Sequence, residues 1–338
     1  FSGDKDLEPM ETREWEKYEK KWKWRDFYFH KILRRHIFEK YFHYDISMPY
    51  YAHRWVMGMK KTNNWIAKKI ESGEPFMVAR FGNTELQTVI RILKERIEGK
   101  SAENDEEFHK WFGRLGEWSG FFPQDERLAE KFADLLLEAC QQTDLLAMWH
   151  CHMEDYIIDK YMKGTKLTYL TRIEPWRASN PWSAALKGKK VLVIHPFENS
   201  ILKQYNKREK LFKNKNVLPE FELKTLKAVQ TIAGEKDERF GTWFDALEYM
   251  YGEAMKTDFD IAIIGCGAYG MPLAAKLKVA GKQTIHMGGV SQMLFGIKGK
   301  RWVESPMVKL DFNDAWVYPS DDEIPSSYSK VEGGCYWK

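Results

Sequence analysis

The run Asp260-Ile-Ala-Ile-Ile-Gly-Cys-Gly-Ala-Tyr-Gly-Met-Pro-Leu-Ala-Ala-Lys-Leu-Lys278 constrains the fold more than any other part of the chain. It opens with a short apolar, mostly β-branched stretch, passes through Gly265, Gly267 and Gly270, and continues with Pro272 placed for the first turn of a helix. Strand, glycine turn and helix in that order make one unit of a parallel α/β sheet. They are also the order that cradles a phosphate. Glycines let the backbone approach a pyrophosphate, and the helix start offers unpaired N–H groups with a partial positive charge. A nucleotide, nucleotide sugar or dinucleotide is the ligand class this suggests; a tight strand-to-helix turn of any α/β domain is the plainer reading. A dinucleotide site also wants an acid about 20 residues further on, at the end of the next strand, to hold a ribose. The next apolar run ends in His286-Met-Gly-Gly289 with no Asp or Glu. Too little chain follows Gly270 for two mononucleotide-binding halves. A nicotinamide-dependent oxidoreductase is therefore the second reading, not the first.

A chain of 338 residues, 43% hydrophobic, holds one large α/β domain with an added helical segment. Its 14 Trp and 15% aromatic content suit stacking on sugars, a membrane interface or a large core alike. The net charge of +4, with a pI near 8.6, fits anionic substrates such as nucleoside diphosphates and falls short of a nucleic-acid footprint. Cys140, Cys151, Cys266 and Cys335 form no C-x-x-C pair, so reduced thiols and a cytoplasmic location are expected. No run reaches the roughly 18 apolar residues of a membrane span, and no signal-peptide core opens the chain. The start at Phe-Ser-Gly rather than Met suggests a processed or excised fragment.

Three segments are expected: a basic, aromatic helical segment at 1–61, a catalytic α/β domain at 62–302, and a surface-wrapping tail at 303–338 with Pro306, Pro319 and Pro325. In the first, Trp15, Tyr18, Trp22, Phe29, Ile32 and Leu33 recur at helical spacing, while Lys17, Lys20, Lys21, Lys23, Arg34 and Arg35 line other faces. Such a helix packs its stripe on the catalytic domain or lies on an anionic membrane surface. In the second, strands are expected at 76–80, 145–149, 167–170, 191–195, 221–228, 261–265 and 284–287. Helices are expected at 85–96, 127–140 and 243–256, and a surface loop at 206–217.

Ligands of open α/β sheets gather at the carboxyl ends of strands, and four such ends carry capable residues. Arg80-Phe-Gly-Asn-Thr-Glu85 follows the first strand. Asn83 there suits an N-cap and Glu85 a first helical turn; equally, both offer oxygens to a divalent cation, and Arg80 suits a phosphate. His195-Pro-Phe-Glu198 follows another strand, so Glu198 and His195 are candidates for proton transfer. The third end is the Gly265–Gly270 turn. The fourth runs from His286 through Gly288 and Gly289 to Lys298 and Arg301, where glycines interleaved with bases suggest a phosphate clamp.

These segments resemble bacterial glycosyltransferases of the GT-D type. That family pairs an Arg-aromatic-Gly-Asp-x-Glu segment with a late strand, glycine turn, helix and strand ending in glycines. Arg80-Phe-Gly-Asn-Thr-Glu85 matches the first, and Ile264-Gly-Cys-Gly through His286-Met-Gly-Gly289 the second. The likeness covers roughly residues 62–302, and the segments around His195 and Lys298 look like members found with surface-polysaccharide assembly. It implies a Rossmann-like, mostly parallel sheet flanked by helices. It also implies transfer of a sugar from a nucleoside-diphosphate donor to a glycan or lipid-linked acceptor, in the cytoplasm or at the inner face of the membrane. The family's Asp-x-Glu implies a divalent cation, Mn or Mg; here Asn83 replaces the Asp, leaving Glu85 to offer charge. The donor site expected is Arg80, Gly82, Asn83, Gly265, Gly267, Gly270, His286, Gly288, Gly289, Lys298 and Arg301. Glu198 leads as the base, followed by His195 and Glu85. A non-catalytic glycan-binding protein is a further alternative, carried by the aromatic excess and the lost Asp.

Overall fold

The computed structural model describes residues 12–42, 47–99, 105–305, 310 and 312–338. Its centre is a sheet of β1 (Tyr50–Tyr51), β2 (Arg54–Met57), β3 (Phe76–Ala79), β4 (Leu145–Met148), β5 (Lys166–Tyr169), β6 (Lys190–His195), β7 (Glu222–Lys227), β8 (Ile261–Ile264) and β9 (Gln283–His286). The spatial order is β1-β2-β5-β4-β3-β9-β8-β6-β7. β1 and β2 pair antiparallel, and every other pairing is parallel. All seven expected strands form.

The central strands are buried along their whole length, which is why they read as continuous apolar runs. Alternate residues feed two cores. Met77, Ala79, Leu146, Met148, Ala262 and Ile264 face one layer, covered by α3 (Asn83–Glu98), α5 (Glu126–Gln142), α8 (Trp243–Lys256) and α9 (Gly270–Val279). Phe76, Val78, Leu145, Ala147, Ile261 and Ile263 face the other, covered by α2 (Met59–Ser72), α7 (Glu198–Tyr205) and the tail residues Trp316 and Trp337. The result is a doubly wound α/β sandwich. Its strand order turns back on itself between β3 and β9: from β3 the chain steps outward to β4 and β5, whereas β9 is reached from β8 on the other side.

The sheet reaches ahead of residue 62. β2 pairs with β5, placing Val56 opposite Leu167. The two-residue turn before it holds Ala52 at φ 45° and His53 at φ 56°, a hairpin turn that Gly and Asn usually supply. The expected loop at 206–217 contains short helical turns and buries Leu211, Phe212 and Val217. Likewise the tail does more than wrap the surface, since Trp316, Val331 and Trp337 are buried in the second core.

The basic, aromatic segment divides in two. α1 (Thr12–Arg25) packs on α6 (Glu154–Tyr161). Trp15 is buried with its ring 4.9 Å from Tyr156, the Tyr18 hydroxyl donates to Asp159 at 2.7 Å, and Arg25 donates to the buried Asp155 at 2.7 Å. Residues Asp26–Phe42 continue as a π-helix whose large side chains are mostly exposed. Packing on the α/β domain thus accounts for Trp15, Tyr18 and Trp22, and not for Ile32 or Leu33. Among the described residues no helix is long and apolar enough to cross a membrane.

Candidate active site

At the carboxyl ends of β3, β9, β8 and β6, where the strand order reverses, lies a cleft of about 520 Å³. Parallel α/β sheets leave a crevice at this position because the crossovers on the two sides depart in opposite directions. Arg80, Phe81, Gly82, Asn83 and Glu85 line it from the end of β3, His195 from β6, Gly265 and Gly267 from β8, and His286, Gly288 and Gly289 from β9. Arg301 completes the expected set. Three expected residues lie elsewhere. Glu198 is turned toward β7, where it accepts a hydrogen bond from the Thr225 hydroxyl at 2.8 Å. Lys298 lies over the Tyr318 ring at 4.8 Å. Gly270 is screened from the cleft by the His286 ring.

Arg80 is the principal positive group. Its Nε is buried and has no hydrogen-bond partner among the described residues. The guanidinium stands 5.2 Å from the centre of the Trp149 ring, and Trp149 is held by its own Nε1–H donating to the Phe81 carbonyl at 2.9 Å. An orphaned buried donor costs about 1–3 kcal/mol unless something accepts from it. Gly288, at φ 68°, passes so close beneath Arg80 that a Cβ would sit 3.1 Å from Nη1. Arg301 is a different kind of cation. It is ion-paired with Glu332 and donates to the Tyr336 hydroxyl at 3.2 Å, so its charge is largely spent within the protein.

Glu85 occupies the third position of α3. The cap position is Gly82, with no side-chain cap, and Asn83 is the first helical residue. The expected capping role of Asn83 is thereby corrected: its amide is left to line the cleft. Glu85 folds back over the helix start, so closely that a Cβ on Gly82 would overlap its carboxylate. Burial raises its pKa above the ordinary carboxylate range, against the lowering effects of its own backbone N–H, nearby Arg80 and a hydrogen bond with Ser119. A carboxyl tuned upward beside a guanidinium whose Nε is unpartnered has the makings of a proton acceptor stronger than an ordinary carboxylate.

The histidines are poorer bases. Burial lowers the pKa of His195 to about 3, and its Nδ1 accepts the backbone N–H of Phe197 at 3.0 Å. That contact assigns the proton to Nε2 and makes His195 a neutral donor. Burial, helped by Arg80, lowers His286 to about 3 as well. Its Nδ1 lies 3.4 Å from the Ile264 carbonyl, and its ring fills the space that the Cβ of any side chain at position 270 would take. The third glycine of the turn therefore admits the histidine ring, and the first two face the cleft.

The second strand end offers no helix start to an anion. The first N–H groups of α7, on Asn199 and Ser200, donate to Glu323 of the tail, the former at 2.7 Å. The start of α9 is open by comparison: its cap residue Tyr269 makes no side-chain cap, and Cys266, Gly267 and Ala268 line the cleft. Aromatic surfaces come from Trp118, Trp149 and Tyr336. Of these only Trp149 had a sequence signal, standing at the end of an expected strand. Tyr336 and Glu332 come from the aperiodic tail.

Among the described residues no three His, Cys, Asp or Glu side chains gather as a metal site would require. Glu85 and Asn83 offer one carboxylate and one amide oxygen, too few for an all-protein cage; a Mg ion held there would take its remaining oxygens from donor phosphates and water.

No family model matches the chain, and no curated protein matches it. Two solved structures resemble it distantly. One, described as "The highly conserved domain of unknown function 1792 has a distinct glycosyltransferase fold", is 14% identical with a TM-score of 0.41, over 77% of this chain and 92% of that one. The other, a selenomethionine-substituted structure of domain of unknown function 1792, is 15% identical with a TM-score of 0.42 over the same shares.

Proposed function

We propose that this protein is a glycosyltransferase that takes a sugar from a nucleoside-diphosphate donor and passes it to a hydroxyl of a glycan or lipid-linked acceptor, in bacterial surface polysaccharide or glycoconjugate synthesis. One observation carries the reading: a guanidinium with a buried, unpartnered Nε, an open glycine turn and a buried carboxyl with a raised pKa share one cleft at the reversal of the strand order. In the transfer, a bond forms between the acceptor oxygen and the anomeric carbon. The bond from that carbon to the diphosphate breaks, and the electron pair leaves with the diphosphate. Arg80 and the N–H groups of Cys266 and Gly267, beyond the Gly265 N–H that is held by the Ile194 carbonyl, stabilise the charge that develops there. Glu85 takes the acceptor proton, and His195 donates a hydrogen bond as a neutral imidazole. Trp118 and Trp149 offer flat apolar faces to a sugar or a base.

The oxidoreductase reading has less to stand on, because β9 runs into Met287-Gly288-Gly289 without a carboxylate for a ribose. Calorimetric titration with the diphosphates of uridine, guanosine, cytidine, adenosine and thymidine tests the proposal. Binding of at least one is expected; no binding by any at millimolar concentration overturns it. Release of nucleoside diphosphate from a nucleotide sugar then separates an enzyme from a binding protein.

A further inference from the structure

The exposed half of the N-terminal segment has no role in the cleft, and its chemistry is specific. Trp24 is 67% exposed, Phe27 51%, Tyr28 47% and Tyr41 68%, and Ile32 and Ile37 are each 38% exposed. Trp24, Tyr28, Ile32, Ile37 and Tyr41 recur every four or five residues, the spacing that a helix of i→i+5 bonds sets along one face. The Trp24 and Tyr28 rings lie 4.1 Å apart, so they form one surface. Single exposed apolar residues are ordinary, but a run of them on one face needs a partner.

Charge says which. Residues 12–42 contain ten Lys and Arg against five Asp and Glu, a net of +5 in a chain whose total is +4, although residues 1–11 carry a net of −3. Lys20, Lys23, Lys31 and Lys40 are exposed along the same segment. The other half is clamped to the domain by Trp15, Tyr18 and the Arg25–Asp155 pair, which fixes the face relative to the sheet. A groove of about 660 Å³ opens beneath the segment, lined by Trp22, Lys23 and Arg34 on one side. It shares Asn83 and Trp149 with the cleft. Bases around a stripe of Trp, Tyr, Phe and Ile are the composition of a helix that lies in the headgroup layer of an anionic bilayer.

We propose that residues 24–41 form a docking surface for an anionic lipid bilayer, seating the domain with its cleft beside the membrane. If the cleft transfers sugars, a lipid-held acceptor reaches it through the adjoining groove; that last clause alone rests on the proposed function.

Co-sedimentation with vesicles of equal parts phosphatidylcholine and phosphatidylglycerol tests it, beside vesicles of phosphatidylcholine alone, at low and high salt. The wild-type protein should sediment with the anionic vesicles, less so at high salt, and weakly with the neutral ones. The triple variant Trp24→Ser, Phe27→Ser, Tyr28→Ser removes exposed rings only and should lose at least about tenfold in binding while melting as the wild type does. Equal sedimentation of variant and wild type, or none by either, overturns the proposal. So does a lipid-free dimer that the triple variant dissociates, which would assign the face to a second copy of the chain. Nucleotide titrations of both proteins run in parallel: failure there would remove the transferase reading and leave the bilayer surface standing.

Discussion

Arg80 and Glu85 face each other's charge across a single turn of chain, and each lacks what an isolated structural role would give it. Arg80 has a buried, unpartnered Nε, and Glu85 has a pKa raised by burial despite the nearby guanidinium. A purely structural Arg80 would have been paired as Arg301 is with Glu332. Arg80→Ala should therefore weaken nucleoside-diphosphate binding by at least about tenfold, or ~1.4 kcal/mol, with little change in melting temperature. Unchanged calorimetric affinity would remove Arg80 from the site. For Glu85 the distinguishing variable is pH. A base acts only when ionised, so transfer should rise with pH through the raised Glu85 pKa. Glu85→Gln should cost at least about tenfold at a pH above that raised pKa, where the wild-type carboxylate is charged, and progressively less as pH falls through it and the carboxyl takes up its proton. A pH-independent deficit would make Glu85 a helix-start residue and nothing more.

The β8–turn–α9 element shows how one glycine motif serves two purposes. Gly265 and Gly267 border the cleft, whereas the absent side chain of Gly270 makes room for the buried His286 ring. Gly270→Ala should destabilise the fold by about 1–3 kcal/mol, the usual cost of overpacking, although Ala is the better helix former. The effect should shrink when His286→Ala is added, since the two changes compete for one space. Additive losses in denaturant unfolding would show that the ring does not set the identity of residue 270. The sequence carried much of this element: short apolar runs marked all the central strands, and the cleft draws on the four strand ends singled out by their polar or glycine-rich residues. What it hid has physical reasons. The β1–β2 hairpin turns on Ala52 and His53, which carry no turn signal. Glu198 looked like a site residue by its place after β6, but the hydroxyl of Thr225 on the neighbouring strand holds it away. Glu332 and Tyr336 reach the cleft through tertiary packing of an aperiodic tail, which periodicity does not register.

Over the whole molecule, buried titratable groups of both kinds set how stability follows pH. Burial raises Glu154 and Glu95 to about 7 and raises Glu85 in the same direction. A carboxyl whose folded pKa exceeds its unfolded value stabilises the fold fully below the unfolded pKa, and that contribution is lost as pH rises toward 7. Burial lowers His195 and His286 to about 3 and His152 to about 4. Their contribution is complete above an ordinary histidine pKa and is lost as pH falls toward 3. Between about pH 4.5 and 6.5 the two sets oppose each other, the folded state holding extra protons on carboxyls and the unfolded state on imidazoles. A broad stability plateau should span that range, falling away on both sides. Glu154 offers the cleanest probe, being fully buried at the start of α6, beside Arg25 and Asp155, and accepting the His150 N–H at 2.8 Å. In Glu154→Gln one opposing carboxyl is gone, so stability relative to wild type should climb by up to about 1.4 kcal/mol per pH unit between pH 5 and 7. The variant starts from a deficit at pH 5, because an amide replaces the protonated acid among backbone donors, and closes on the wild type as pH rises. Denaturant unfolding of both proteins across that range reads the slope directly. Parallel profiles would mean that Glu154 is already ionised in the folded protein at pH 5, and the plateau would then tilt upward with pH in the wild type as well.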